Sequence, residues 1–419
     1  MAERAGPGRR TLLRVPAPLR RPAFRRVWAG MSVSYGGDRL QQLAQGWLVA
    51  TLTGSAVGVG LITALGSLPL LLLPLGGVIA EQIDRRRLLL VAQLVGATTT
   101  LSVAALIVGG QIVAWHIYAW AFVNGALTVV ARPAYKVVLT EVVPAQEVRA
   151  AVAINSMTET GALVAVNAAG SMLLAVLGLP IAFVLNTASY LVAAGTLWSV
   201  PGVGALPAGS VGGLRLSGVL VDLRDGVAYL RRTPALIRPL LLTFAMILAA
   251  GPVLGLLPAI VQARGGSIVE LGLLSAAVSV GSFGGAIFAG TREPGFRPAR
   301  TYALFGMAAA VAVGLFALVP TGIVAALALG AIGFVAFAEA VWNTSRIRQE
   351  ASPAFQARLQ ALTSMAFTLG FALGTLWAGA ALDRWGIGAL AGGAAVLALC
   401  CGAVLAVPRL PRTAAERGG

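Results

Sequence analysis

Apolar runs of about twenty residues recur from end to end of this chain, broken only by short polar stretches, and no other feature limits its fold as much. They lie at about residues 27–51, 56–80, 88–109, 112–133, 150–175, 178–198, 238–261, 269–290, 300–319, 321–343, 357–381 and 387–407. Each is long enough to cross a bilayer as a helix, the one open-ended structure that satisfies every backbone N–H and C=O inside lipid. The sequence therefore predicts an all-α integral membrane protein of twelve transmembrane helices. Composition agrees: 58% of the 419 residues are apolar and 11% charged, too little charge for the surface of a soluble chain this long.

The formal net charge is +16, and its distribution excludes a nucleic-acid partner. The basic residues sit in short clusters between apolar runs, not on one face able to follow a phosphate backbone. Eight arginines (Arg4, Arg9, Arg10, Arg14, Arg20, Arg21, Arg25, Arg26) precede the first span. That segment has no short apolar core with a cleavage site, so a retained basic tail is expected over 1–26. Twenty more Lys or Arg fall in alternate connections and the tail at 408–419, against two, Arg264 and Arg384, in the opposite connections. Arg39 lies inside the first span. This asymmetry predicts both termini in the cytoplasm of a bacterial inner membrane.

The chain divides in two. Glu141-x-x-Pro144-x-x-x-x-Arg149 recurs as Glu350-x-x-Pro353-x-x-x-x-Arg358, and the same shift maps Gly76, Ala80 and Asp84 onto Gly285, Ala289 and Glu293. Two parallel six-helix bundles follow, over 27–198 and 238–407. The connection at 199–237 starts as a Gly/Pro/Ala-rich linker. It then shows helical spacing in Val219, Leu223, Val227 and Leu230, an amphipathic helix expected along the inner surface.

The loop after span two reads Gly76-Gly77-Val78-Ile79-Ala80-Glu81-Gln82-Ile83-Asp84-Arg85-Arg86-Arg87. It resembles the loop signature of the major facilitator superfamily. Phe24-Arg25-Arg26-Val27-Trp28-Ala29-Gly30, Gly37-Asp38-Arg39, Leu52-Thr53-Gly54-Ser55 and Tyr229-Leu230-Arg231-Arg232-Thr233-Pro234 extend the likeness. The branch most similar is the bacterial efflux group with enterobactin and macrolide exporters. The resemblance implies a monomeric secondary transporter with no cofactor, exporting a small amphipathic drug, siderophore or other natural product against protons. It also implies a conformational latch of Gly77, Glu81, Asp84, Arg85 and Arg86. The chain departs from the drug–proton antiporters in span four, where Ala121-Phe122-Val123-Asn124-Gly125 lacks their arginine, and in span five, where Val166-Asn167 replaces a glycine–proline pair.

Ionisable groups at membrane depth mark sites of function or pairing. On span one, Ser34, Tyr35, Asp38, Gln41, Gln42 and Gln45 fall on one face. Such an edge cannot meet lipid, so it lines either a helix interface or a watery cavity. Cavity lining makes Tyr35, Gln41, Gln42 and Gln45 substrate contacts and Asp38 a proton carrier. Pairing of Asp38 with Arg39, and glutamines bridging helices, is the structural alternative. Glu159 of span five, on one face with Asn155 and Thr158, is a second proton candidate with two further cavity candidates. Glu339, with Asn343 a turn later near the inner end of span ten, is a third, against the alternative of pairing with Arg346. Ser275, Ser279 and Ser282 of span eight read as helix packing. Pro69, Pro74, Pro252 and Pro258 mark candidate bends. His116, the single histidine, reads as part of an interfacial aromatic belt, and adjacent Cys400 and Cys401 as packing residues. There is no GxxxxGK[ST] phosphate loop, no nucleophile–histidine–acid set and no metal-ligand spacing, so neither ATP-driven nor catalytic work is expected. Two alternatives stay open: a nutrient or metabolite importer on the same fold, and a non-transporting membrane scaffold.

Overall fold

The computed structural model describes residues 16–73, 83–200, 202, 204, 216–292, 298–319 and 322–406. Its helices are α1 (Pro22–Thr53), α2 (Ala56–Ser67, extended by a 3₁₀ turn Leu68–Leu72), α3 (Arg85–Val108), α4 (Ala114–Glu141), α5 (Val148–Ala165), α6 (Ser171–Leu177), α7 (Pro180–Trp198), α8 (Leu216–Arg232), α9 (Pro234–Gly255), α10 (Leu257–Ala263), α11 (Ile268–Thr291), α12 (Pro298–Leu318), α13 (Ile323–Glu350), α14 (Pro353–Trp385) and α15 (Gly388–Ala406). A π turn, Val166–Gly170, joins α5 to α6 as one continuous span.

Local chemistry sets the boundaries. Proline at the first turn starts α1, α7, α9 and α14, where its missing N–H costs nothing. Ser55, Asp84 and Ser267 cap α2, α3 and α11 by accepting from the N–H of Gly58, Arg87 and Glu270. Gly54, at φ 59°, ends α1 in a left-handed conformation that costs glycine little.

Among the described residues, eight helical segments are long and apolar enough to span a bilayer alone, and α9 with α10 makes a ninth, bent by 53°. That bend lies between Pro252 and Pro258. Ala56–Leu72 and Gly388–Ala403 are apolar but shorter, and α1, 32 residues long, is diluted by its polar edge. Together these are the twelve expected spans. The repeat is visible in the helix ends: shifted by 209 residues, Ala114–Glu141 falls on Ile323–Glu350, and Ala145–Leu177 falls within one residue of Pro353–Trp385.

α4 and α13 run past the predicted ends of spans four and ten, because hydropathy registers the lipid-immersed part of a helix and not its continuation into water. Arg132 consequently stands nine residues inside the end of α4, about 13 Å along the axis, and Glu339 eleven residues inside the end of α13, about 16 Å. Arg132 is not the connecting-loop residue that the charge count made it.

Within each half, α1 packs along α7, and α11 along α13. Gly281 and Gly285 let α11 meet the backbone of α13 at Gly330 and Phe334. Buried side chains, among them Phe183, Leu256, Phe316 and Leu329, form a core through both halves. Val108, Val176, Leu318 and Ile323 point outward, as lipid-facing positions do. α8 does not lie free on a surface. Tyr229 stacks on Phe355 at 4.4 Å, Leu230 joins Leu236, Ile347 and Leu359, and Asp225 faces Arg358 at 3.6 Å, docking α8 on the start of α14.

Candidate transport cavity

A cavity of about 730 Å³ lies between the halves, walled by α1, α2, α4 and the α5–α6 turn on one side and by α9, α10, α11, α13 and α14 on the other. The volume lies in the range that holds drug-sized molecules. Five members of the polar edge of α1 line it: Ser34, Tyr35, Asp38, Gln42 and Gln45. Gln41 does not. It is wholly buried between α1 and α7, where Asn186 Nδ2 donates to its Oε1 at 2.5 Å and its own Nε2 has no partner among the described residues. Gln41 and Gln42 differ by 100° around the helix, and α7 covers the first and leaves the second open.

Asp38 stands where cavity and helix interface meet. Its Oδ1 accepts from the Tyr190 hydroxyl at 2.6 Å and from Asn186 Nδ2 at 3.2 Å, and Asn124 Nδ2 donates to Tyr190 in turn at 3.0 Å. One carboxylate thus ties α1, α4 and α7 together while an edge of it faces the void. Arg39 makes no ion pair with it. The Arg39 guanidinium turns along the helix and donates to Gln42 Oε1 at 2.7 Å, inside the cavity.

Glu159 lies one side chain behind the wall. Its Oε1 accepts from Asn155 Nδ2 at 2.8 Å, and Tyr135, which lines the cavity, donates to Asn155 Oδ1 at 2.8 Å. Asn155 and Thr158 are therefore not cavity walls as the face of span five suggested. Asn155 is the buried link between Tyr135 and Glu159, and Thr158 accepts from Trp28 Nε1 at 3.1 Å, because α5 turns this face onto α1 and α4.

Glu339 is far from the wet, paired position expected near the end of its span. It is 1% exposed, away from the cavity, and accepts from Thr243 Oγ1 at 3.3 Å, while Asn343 donates to Thr243 at 2.9 Å. Arg346 pairs instead with Glu350 at 2.7 Å. The extra length of α13 is the cause: it carries the ion pair out to the end and leaves Glu339 in the packed interior.

The described residues of the loop cluster make their contacts within the first half. Arg85 pairs with Glu141 at 3.1 Å, Arg86 donates to the carbonyls of Leu197 and Trp198, and Asp84 caps α3, all within the first half. Gly77 and Glu81, like Pro74, lie outside the described residues.

Several cavity groups escaped the sequence reading. Arg132 lines the cavity from α4, its signal hidden by adjacent Pro133 and nearby Lys136, which look like a loop. Tyr190 lines the cavity and shares a face of an apolar helix, at i, i+4, with the buried Asn186, a signal that was present. Asn167, in the π turn, lines the cavity and crosses to α11, donating to Ser279 Oγ at 2.9 Å. Such turns often sit at functional sites. Ser275, Ser279 and Ser282 line the cavity as well, beyond the packing role expected of them.

Opposite the arginine-rich face the halves are joined. Asp383, at the end of α14, accepts from Ser55 Oγ at 2.5 Å, Ala56 N at 2.6 Å and Val57 N at 3.1 Å, capping the start of α2 from the other half. Gln262 donates to Trp47 O at 2.9 Å and Thr51 Oγ1 at 3.0 Å. On the arginine-rich face, the pairs Arg21–Glu147, Arg85–Glu141 and Arg346–Glu350 each stay within one half.

The family described as transmembrane secretion effector, within the major facilitator superfamily, matches residues 15–417. An uncharacterized transporter of that superfamily, YfiS of Bacillus subtilis (strain 168), is 24% identical over 231 residues, 53% of this chain and 54% of the relative, so the match spans about half the length of each. The crystal structure of the nucleoside transporter NupG superposes with a TM-score of 0.67 at 15% identity, covering 92% of this chain and all of that one. A bacterial homolog of the human lysosomal transporter Spinster, inward-facing and unoccupied, superposes with a TM-score of 0.69 at 13% identity over 91% of this chain and 96% of the other. A twelve-span fold in two repeats, a polar cavity between them and a family match over almost the whole chain converge: the protein is a multi-pass membrane transporter and belongs to the transmembrane secretion effectors of the major facilitator superfamily.

Proposed function

We propose that the protein is a secondary active exporter of small amphipathic molecules, working by alternating access in a bacterial inner membrane with both termini cytoplasmic. On this reading it resembles the efflux branch of its superfamily, and residues 199–237 link the two moving halves. The observation that carries the proposal is Asp38, a carboxylate at mid-membrane that touches the cavity and at the same time holds α1, α4 and α7 together. A proton on Asp38 removes a charge costing about 2.5–3.5 kcal/mol at that depth and alters its bonds to Tyr190 and Asn186, so its protonation biases one packing of the halves over another. Glu159, linked to the cavity wall through Asn155 and Tyr135, supplies a second proton. Gln42, Gln45 and Tyr35 contact the solute. Positive charge on the face carrying Arg85, Arg86 and Arg87 sets that face in the cytoplasm, and the contacts of Asp383 and Gln262 then seal the outer side.

The test is accumulation of labelled drugs and siderophores in everted vesicles under an imposed pH gradient. Proton-dependent accumulation that falls at least tenfold in Asp38→Asn and in Glu159→Gln is the expected result. Full activity in both variants overturns the assignment of these carboxyls.

A second reading, uptake of a metabolite, is favoured by Arg39 and Arg132 beside the two carboxyls. Protonating Asp38 or Glu159 leaves these guanidiniums with less counter-charge and so favours an anionic solute, the linkage that co-transport needs. Uptake into intact cells that rises as the external pH falls, with no efflux from vesicles, selects this reading over export.

A further inference from the structure

The two guanidiniums in the cavity have almost nothing to bind. Arg39 uses one N–H on the neutral Gln42 amide, and Arg132 makes no hydrogen bond or ion pair among the described residues. An arginine offers five N–H donors in a planar fork, so most donors of the pair have no acceptor among the described residues. Both line the same cavity, and Asp38 lies on the same wall. The hydrogen bonds of the nearby carboxylates go elsewhere, those of Asp38 to Tyr190 and Asn186 and that of Glu159 to Asn155. Both guanidiniums line the cavity wall at membrane depth, where charge is expensive and a ligand's oxygens can take the donors that the protein leaves unused. The facing wall, from the second half, carries no charge among the described residues and is mostly apolar: Leu254, Leu257, Val278, Phe337 and Phe371, with the hydroxyls of Ser275, Ser279 and Ser282 between them.

From this asymmetry we infer that the cavity selects amphipathic organic anions, seating a carboxylate, sulfonate or phosphonate head between Arg39 and Arg132 and the apolar body against α9, α11, α13 and α14. The inference rests on the transport reading but not on its direction, since an anion leaving a cell also moves with an interior-negative membrane potential. Charge-assisted bonds from a guanidinium fork are about twice as strong as neutral ones, which makes the seat a specificity filter and not merely a sticky surface. Arg39 on α1 and Arg132 on α4 belong to one half, so the head travels with that half as the apolar wall rocks past it.

Three naphthalene probes of one shape test it: 2-naphthoate, neutral 2-naphthamide and cationic 2-naphthylmethylammonium. Binding to the full-length protein in lipid nanodiscs is measured by equilibrium dialysis, with empty nanodiscs subtracted. The expected result is that 2-naphthoate binds about tenfold tighter than the amide, the equivalent of about 1.4 kcal/mol, and the cation more weakly than both. Arg132→Gln and Arg39→Gln abolish the preference for 2-naphthoate over the amide, and Arg132→Lys keeps part of it. Equal binding of all three probes, preference for the cation, no binding of any probe, or a preference that survives both Gln variants overturns the inference. Movement of the same probes in proteoliposomes separates the two claims: transport without charge preference leaves the transporter reading standing and removes the anion seat, whereas binding without movement does the reverse.

Discussion

The neighbours of Asp38 and Gln41 make opposite predictions for residues three positions apart. Asp38→Asn keeps an oxygen acceptor for Tyr190 and Asn186, so stability should fall by no more than about 1 kcal/mol while proton-dependent transport is lost. Gln41→Met fills the same dry slot and removes the amide N–H that has no partner among the described residues. It is expected to stay within about 1 kcal/mol of the parent in thermal unfolding and to transport normally, in contrast to Gln42→Met, which should weaken solute binding. Asn155→Ala strips the Tyr135 hydroxyl and the Glu159 carboxylate of a shared partner. A loss of about 1–3 kcal/mol, read as a lower unfolding temperature in detergent, is the expected cost of leaving those buried groups unsatisfied. The glutamines and Asp38 were legible as one edge from their spacing. Spacing does not say which part of an edge α7 covers, and that divided Gln41 from Gln42.

Close packing of helices explains the glycines of α11. A Cβ at Gly281 or Gly285 would collide with the backbone carbonyl of Gly330 or Phe334, which cannot swing aside as a side chain can. Gly281→Val and Gly285→Val should therefore force α11 from α13 and cost about 1–3 kcal/mol. Gly314→Ala in α12, with open space at the added methyl, should be neutral or slightly stabilising because it lowers the cost of the helical backbone. Thermal unfolding of the three purified variants checks the contrast. The apolar runs announced the existence of α11 and α13, but the depth of Glu339 and Arg132 was lost because hydropathy stops where a helix leaves the lipid. A helix that continues seven residues past the predicted end shifts the reading of every polar side chain near that end.

Joining and parting of the halves is a property of the whole molecule, and Asp383 is the sharpest handle on it. It caps α2 across the interface, taking three donors from residues more than 320 positions away in the chain. Removing it by Asp383→Ala leaves the first N–H groups of α2 without acceptors and should shift the population toward a conformation open on that face. Greater labelling of a cysteine placed at Thr51 by an impermeant maleimide, in a background free of Cys400 and Cys401, is the readout. Conversely, Ser55→Cys with Asp383→Cys should form a disulfide under mild oxidation that arrests transport and is reversed by reductant. Transport that continues through the crosslinked protein would show that the halves do not part there.

Membrane residence, the number of spans, the sidedness of positive charge and the repeat were all decided by sequence alone. Each depends on what lipid or water does to one segment at a time, so each sums along the chain without knowledge of neighbours. The cavity was decided only by tertiary structure. Whether a polar residue meets water, another helix or a partner 300 residues away depends on how each helix is rotated and how deep it sits, and those are set by packing among all twelve. Gln41 in the dry seam, Arg132 in the void, Glu339 in the core and Asp383 across the interface are four outcomes of that one physical cause.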